Sequence, residues 1–197
     1  MVSLMQRRRE MMKIASAPVD NHLKFSVTNQ TVSIGDRIAT GVYPLASDYN
    51  LTILFDLDMT SNPTSGNSRL WKFIRVWDDT SNTEGIKIGK RQASNTQITV
   101  WWMSSSYEGI NGSSTTAGRY RVAVTHEAGS NTLNVSYKKG NGNRINKSYT
   151  GTFYASPTNE LFFGQAENND NSLPPGTLTA KVYDIVLSSA EIDAFFE

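Results

Sequence analysis

The sequence predicts an all-β domain, a sandwich of two antiparallel sheets, with a basic arm before it and a short helix at its end. From Leu23 onward, apolar and polar residues alternate at period two, which is typical of strands with one buried face. Clusters of Gly, Asn, Ser and Asp interrupt the alternation at short intervals, as turns do in sandwiches and barrels. The 197 residues, of which 38% are hydrophobic, suit one domain of this kind plus an appendage.

The alternating segments predict strands along most of the chain: 23–27, 51–58, 70–77, 86–90, 97–103, 119–126, 132–138, 148–154, 160–164 and 177–187. In the second of these, every other residue is a large apolar one, which predicts a core face formed by Leu51, Ile53, Phe55 and Leu57. The loop EAGSN joins two segments of matching phase and therefore predicts an antiparallel hairpin.

The domain is expected to span residues 20–197, behind an arm formed by residues 1–19. The arm is rich in Met, lacks Gly and aromatic residues, and ends near Pro18, which would stop a helix. Its basic residues are Arg7, Arg8, Arg9 and Lys13. Such an arm either frays or docks onto other subunits of a larger assembly.

A helix is predicted only at the C-terminus. Ser188 and Glu191 have the spacing of a capping box and precede apolar residues at helical spacing. We expect Ile192 and Phe195 to share one helix face and to hold the chain end against the sandwich.

Composition removes several functional classes. The 19 basic and 18 acidic residues nearly cancel, which disfavours nucleic acid as the main ligand. Cysteine is absent, so disulfides, thiolate metal sites and cysteine nucleophiles are not available. No segment has the length and apolarity of a membrane span, so no membrane insertion is expected. The opening MVSLMQRRREMM has arginines where a signal peptide needs an apolar run, so we expect no export by that route.

Catalysis is not expected. The one segment with a glucanase-like series of carboxylates is EIDAFFE, with Glu191, Asp193 and Glu197, and its last spacing is one residue too long. A retaining pair of carboxyl groups needs to lie about 5 to 5.5 Å apart on a supported surface, which a solvated terminal helix does not provide. His22 and His126 are the only imidazoles, and no G-x-S-x-G motif accompanies them, so each is expected at a strand end or on the surface. A glycoside hydrolase is the weaker alternative.

No cofactor is predicted. His and Cys clusters of metal-binding spacing are absent from the sequence. Calcium remains open, because the oxygen-rich loop 167–172 and the pair Asp78 and Asp79 could supply ligands. Neither has a diagnostic spacing, and a solvated turn explains each better.

The tryptophans offer two alternative surfaces for sugar binding, which uses flat aromatic rings flanked by polar groups. Strict alternation in LWKFIRVW would place the first set on one face together with Phe73: Trp71, Arg75 and Trp77. If the aliphatic face is the core, this set forms an outward strip. If the aromatic face is the core, Arg75 snorkels or pairs at an edge.

The second set lies in strand 97–103 and in the loop after it. Ile98 and Val100 share the phase of Trp102, which predicts Trp102 in the core and Trp101 exposed. The segment 104–118 has the length and polarity of a binding loop at the rim, or of a flexible spacer. The candidate ligand residues are Trp101, Tyr107 and Asn111. We expect only one of the two sets to be exposed.

Two segments resemble a known family. GTLTAKVYDIVLSSAEIDAFF, residues 176–196, resembles the closing strand and helix of concanavalin A-like, laminin G-type domains. IATGVYPLASDYNLTILFDLD, residues 38–58, is similar to that family's early strand pair. The resemblance implies a jelly-roll sandwich that binds ligands, often sugars, on its concave sheet or on loops at one rim.

MQRRREMM is similar to the openings of phage structural proteins in which an arm precedes a lectin-like domain. The resemblance implies a non-catalytic attachment or decoration protein, made in the host cytoplasm and located in the virion. Its partners would be other virion subunits, through the arm, and a cell-surface glycan. The alternative is a purely structural decoration protein without a ligand.

Overall fold

A computed structural model describes residues 21–33, 36–44, 49–61, 71–77, 84–90, 97–101, 107–110, 113, 116–151, 160–164 and 173–197. These residues contain twelve strands and one helix. The strands are β1 (Leu23–Val32), β2 (Ile38–Ala39), β3 (Leu51–Met59), β4 (Trp71–Trp77), β5 (Glu84–Lys90), β6 (Thr99–Trp101), β7 (Tyr107–Gly109), β8 (Gly118–His126), β9 (Thr132–Lys139), β10 (Ile145–Thr150), β11 (Glu160–Phe163) and β12 (Gly176–Tyr183). The helix is α1 (Ser189–Phe196). The predicted arm, residues 1–19, lies outside the described residues.

Within the described residues, the strands form two six-stranded sheets in which all neighbours are antiparallel. Sheet A has the order β1-β12-β3-β8-β9-β10, and sheet B has the order β2-β11-β4-β5-β6-β7. The predicted two-sheet, all-β architecture is confirmed. The hairpin predicted at EAGSN is confirmed as well, since β8 pairs directly with β9.

The core lies between the sheets. The predicted apolar face of β3 is buried, with Leu51, Ile53, Phe55 and Leu57 at most 1% exposed. These side chains meet residues of sheet B in one apolar cluster. Aromatic rings dominate its centre, where the Phe55 ring lies 4.9 Å from the Phe73 ring and 5.6 Å from the Phe163 ring, measured between centroids. Such tilted ring pairs add to the stability that burial of apolar area provides.

Strand β4 departs from strict alternation. Its pairing with β5 shifts by one residue between Lys72 and Ile74, which is a β-bulge. Phe73 and Ile74 are both fully buried members of the core cluster, because the bulge lets two successive side chains point inward. The prediction that Phe73 shares a face with Arg75 is therefore wrong.

Two short strands were not predicted, β2 and β7. The three residues of β7 pair with β6 inside the segment 104–118, for which the sequence predicts a binding loop at the rim or a flexible spacer. Both strands are too short for an alternation pattern. The predicted strand at 97–103 is shorter in the structure, where β6 spans Thr99–Trp101.

Helix α1 packs on the outer face of sheet A, the face turned away from the core. The predicted capping box is present, with Ser188 Oγ accepting from the Glu191 amide and the Glu191 carboxylate accepting from the Ser188 amide. Ile192 is buried as predicted, but its buried companion is Phe196, while Phe195 is only partly buried. The helix face that packs on the sheet is therefore the one with Ile192 and Phe196, and not the predicted one with Ile192 and Phe195. The apolar residues beneath it are Leu54, Ala123 and Tyr183.

Candidate ligand-binding face

The strand register defines one continuous row across sheet B. Phe162 pairs with Ala39 on one side and Arg75 on the other, Arg75 pairs with Lys87, Lys87 with Trp101, and Trp101 with Tyr107. Directly opposed residues of antiparallel strands belong to the same face of a sheet. The neighbouring row, Phe163–Ile74–Ile88–Val100, belongs to the core cluster. The Arg75 row therefore belongs to the outer face of sheet B.

The Arg75 row of this face is cationic, as is the residue stacked at its end. The Arg37 guanidinium lies 4.0 Å from the centroid of the Phe162 ring, so it is on the outer face too, and Arg37 is exposed. Arg75 is only 1% exposed, and Lys87 is half-buried. The adjoining row contains two acids, Glu160 and Glu84, which pair with Trp77 from either side. Glu160 Oε1 accepts a hydrogen bond from the Gly41 amide at 2.7 Å.

The register brings members of the two predicted sets together. Arg75, of the first set, shares its row with Trp101 and Tyr107, of the second. Trp77 stands in the next row along the same strand, opposite Glu160. Trp71 pairs with Lys90, on the far side of the bulge, and is therefore out of phase with Arg75.

The strand register does not by itself give the exposure of the tryptophan side chains. The structure describes the backbone of the positions Trp71, Trp77, Trp101 and Tyr107, and Asn111 and Trp102 lie outside the described residues. Which set is exposed therefore stays a prediction. The core assignment of Ile98 and Val100, on which the phase of Trp101 rests, is confirmed by their complete burial.

Sequence reasoning missed Arg37, Lys87 and Phe162 on this face. Arg37 lies in a connection before a two-residue strand, and Phe162 lies in an apolar run, ELFF, without alternation. Only long-range pairing places them beside Arg75. The sequence contains a signal for two of the three, the basic residues Arg37 and Lys87, and none for Phe162.

Two of the three carboxylates considered for catalysis, Glu191 and Asp193, have structural partners. The Glu191 carboxylate accepts from the amide and the hydroxyl of Ser188. Asp193, in α1, pairs with Arg144, just before β10. This pair lies on sheet A, whereas the Arg75 row lies on sheet B.

Both histidines lie at strand ends, as predicted. His22 Nδ1 lies 2.7 Å from Asp184 Oδ1. His126 is buried rather than on the surface, with its two ring nitrogens each 2.9 Å from a backbone carbonyl oxygen, of Tyr49 and of Ser130. It thereby links the β8–β9 turn to the segment entering β3.

The described residues contain no group of His, Asp or Glu side chains arranged to hold a metal ion. The candidate calcium ligands, Asp78, Asp79 and the loop 167–172, lie outside those residues. The one helix of the described residues is not long and apolar enough to cross a membrane.

Comparison with known proteins identifies the fold. No protein-family model and no curated protein matches the chain. Among solved structures, the carbohydrate-binding module CBM40 of the Ruminococcus gnavus IT-sialidase, bound to α2,3-sialyllactose, matches with a TM-score of 0.62 and 13% identity over 87% of this chain and 97% of that one. The same module bound to α2,6-sialyllactose gives 0.62 and 13% over 89% and 100%. The leech intramolecular trans-sialidase, complexed with 2,7-anhydro-Neu5Ac, gives 0.58 and 14% over 86% of this chain and 27% of that one.

At these identities the likeness establishes the fold class. The chain forms a jelly-roll sandwich of two antiparallel sheets, the fold of the matching module, which confirms the predicted jelly-roll architecture. The laminin G resemblance and the origin in a phage particle stay predictions.

Proposed function

We propose that this chain is a non-catalytic attachment domain that binds acidic glycans on the outer face of sheet B. The observation that carries the proposal is the row Phe162–Arg75–Lys87–Trp101–Tyr107, with Arg37 stacked at one end. The matching modules, whose structures contain sialyllactose, have the same fold. Sialyllactose carries a carboxylate, which a cationic face would attract.

The physical argument begins with charge. Neighbouring strands are about 4.8 Å apart, so the row spans about 19 Å, enough for several sugar units. Arg75 holds a positive charge beside Lys87 in the row, at a buried position where little water screens it. Arg37 and Lys87 are more accessible and can contact a carboxylate directly.

The aromatic positions complete the proposed site. Trp101 and Tyr107 follow Lys87 in the row, so a sugar whose carboxylate is held near Lys87 would extend over them. Rings at those positions would stack on the C–H face of a pyranose, as sugar-binding proteins commonly arrange. We propose Trp101 as the main stacking residue, with Trp77 in the adjoining row. Asn111, outside the described residues, stays a candidate from the sequence.

The test compares 3′-sialyllactose with lactose by isothermal titration calorimetry. We expect saturable binding of the sialylated sugar and none of lactose. Lys87→Met should weaken binding about 10- to 150-fold, because one charge-assisted hydrogen bond contributes about 1.5 to 3 kcal/mol. Trp101→Ala should cost about 1 to 3 kcal/mol of binding free energy, by analogy with base stacking on aromatic residues.

Lys181→Met is the matched control, since Lys181 is an exposed cation on the outer face of sheet A. Equal binding of lactose and sialyllactose would refute the acidic ligand, and equal losses in the two lysine variants would refute the location. Lys87 is preferred to Arg75 for this test. Substituting a buried charged group can destabilise the fold and so obscure a binding effect.

The attachment role rests on the arm. We propose that residues 1–19, through Arg7, Arg8, Arg9 and Lys13, join the domain to a larger particle, of which a phage virion is the favoured example. A chain lacking these residues should fold normally but fail to enter the particle. Normal incorporation of the truncated chain would refute this role. A decoration protein without a ligand would keep the arm's function and give no glycan binding.

A further inference from the structure

The outer face of sheet A carries a second groove, on the opposite side of the sandwich from the Arg75 row. It lies beside α1, over β8, β9 and β10, and has a volume of about 320 Å³. That volume is at the lower end of the range for small-molecule sites. Its floor is polar and its wall is apolar.

The floor presents two oriented amide groups. Ser148 Oγ donates to Asn134 Oδ1 at 2.6 Å, and Ser136 Oγ donates to Asn146 Oδ1 at 2.7 Å. These bonds hold each amide oxygen against the sheet. The Nδ2 groups of Asn134 and Asn146 donate no hydrogen bond to any other described residue, so two donors are available to a ligand.

Arg144 fixes one end of the floor. Its Nε donates to Asn146 Oδ1 at 2.9 Å and its Nη2 to Ser136 Oγ at 3.1 Å. Its guanidinium also pairs with Asp193 and lies 4.6 Å from the centroid of the Phe196 ring. Four contacts on one guanidinium make this end of the groove rigid, which lowers the entropy lost when a ligand binds.

The wall is formed by the segment leading into α1. Val186 is 41% exposed, and Tyr43 is the other large hydrophobic residue with comparable exposure among the described residues. Leu187 and Ile192 continue the wall below it. A ligand that fits this groove offers hydrogen-bond acceptors to two amide donors and a small apolar group to Val186.

We propose that this groove binds a sugar residue bearing an acetamido group. The carbonyl oxygen of the acetamido group accepts from an asparagine Nδ2, and its methyl group packs on Val186. Ring hydroxyls accept from the second amide. The groove lies on the face of the sheet and not along the edge of β10, so an extended peptide could not add to the sheet there through its main chain. This geometry favours the sugar over a peptide.

The experiment is an NMR titration of the full chain with methyl N-acetyl-β-glucosaminide, an uncharged probe. We expect saturable shifts of the Asn134, Ser136 and Asn146 backbone amides. Asn134→Asp keeps the acceptor for Ser148 but removes the donor, and should weaken binding about tenfold, the effect of one lost hydrogen bond. Val186→Ser should also weaken binding while leaving the fold intact, because the side chain is exposed.

Asn143→Asp is the charge-matched control, since Asn143 is exposed in the β9–β10 turn and outside the groove. Equal weakening by Asn143→Asp, the absence of saturable shifts, or equal binding of methyl β-glucoside would each overturn the proposal. Equal binding of N-acetyl-alanine amide would identify an acylated peptide as the ligand instead. Lys87→Met should leave this titration unchanged, so failure of sialyllactose binding and failure of this site are distinguishable.

Discussion

The burial of Phe73 next to Ile74 is the evidence for the bulge in β4, and Phe73→Ala tests it. Phe73 is fully buried, with its ring centroid 4.9 Å from that of Phe55 and 5.3 Å from that of Tyr120. Removing a fully buried phenylalanine ring costs about 3 to 5 kcal/mol of unfolding free energy. For a domain of this size that corresponds to a fall in Tm of roughly 10 °C.

The assay is urea denaturation, in which the midpoint should fall while the slope m stays constant. A double-mutant cycle of Phe55→Leu and Phe73→Leu should give a coupling energy of about 0.5 to 1.5 kcal/mol, because the rings touch. Val186→Ala serves as the exposed control and should change stability by no more than about 0.5 kcal/mol. A loss below about 1 kcal/mol for Phe73→Ala, without coupling to Phe55, would refute the bulge. The outward placement of Arg75 would stand, because it rests on the core positions of Ile74 and Val76 on either side of it.

Three further predictions concern the stability of the fold outside the proposed sites. Burial alone would raise the pKa of Asp184, but hydrogen bonds from two basic side chains outweigh it and lower the pKa below its usual 3.8. Because the pKa of Asp184 is lower in the folded than in the unfolded chain, its carboxylate stabilises the fold above about pH 4 and loses that contribution as pH falls further. Below about pH 4, the urea midpoint of the native chain should therefore fall more steeply with pH than that of Asp184→Asn. Ser188→Ala removes the cap of α1 and should cost about 1 kcal/mol in the same denaturation assay; an unchanged midpoint would contradict the cap's role. Gly164→Ala should cost about 1 to 3 kcal/mol, since its φ is +85° and an added Cβ would lie 2.6 Å from the Asp36 carbonyl oxygen; a stabilised variant would show that this backbone can relax.

Alternation predicts the fold where the strands are long and one face is buried. Strand β3 spans nine residues with apolar residues at every second position, and its single exception, Leu54 on the polar face, is the residue that α1 covers. The capping box predicts the helix because its two hydrogen bonds are local. Local chemistry and a regular period therefore account for both elements.

The candidate site is less predictable because it depends on non-local pairing. Alternation assigns Phe73 and Arg75 to one face. Only the register with β5 reveals that Phe73 is the extra residue of a bulge. Similarly, Trp101 and Arg75 are neighbours only through Lys87, and Arg37 enters the site only through β2 and β11. A single sequence contains no signal for the order of strands in a sheet, so the two aromatic sets look like alternatives.

The two proposed sites lie on opposite outer faces of one sandwich, and that placement determines how they would work together. Packed sheets are about 10 Å apart, and the core between them is close-packed, so neither site shares a side chain with the other. A ligand on sheet B therefore leaves the groove beside α1 free, and the binding free energies of the two sites should add. One glycan chain would have to pass around the edge of the sandwich to reach both, whereas two separate chains could bind at once. A domain held on a particle in many copies would then gain avidity from both faces, because each bound chain raises the effective concentration of its neighbours.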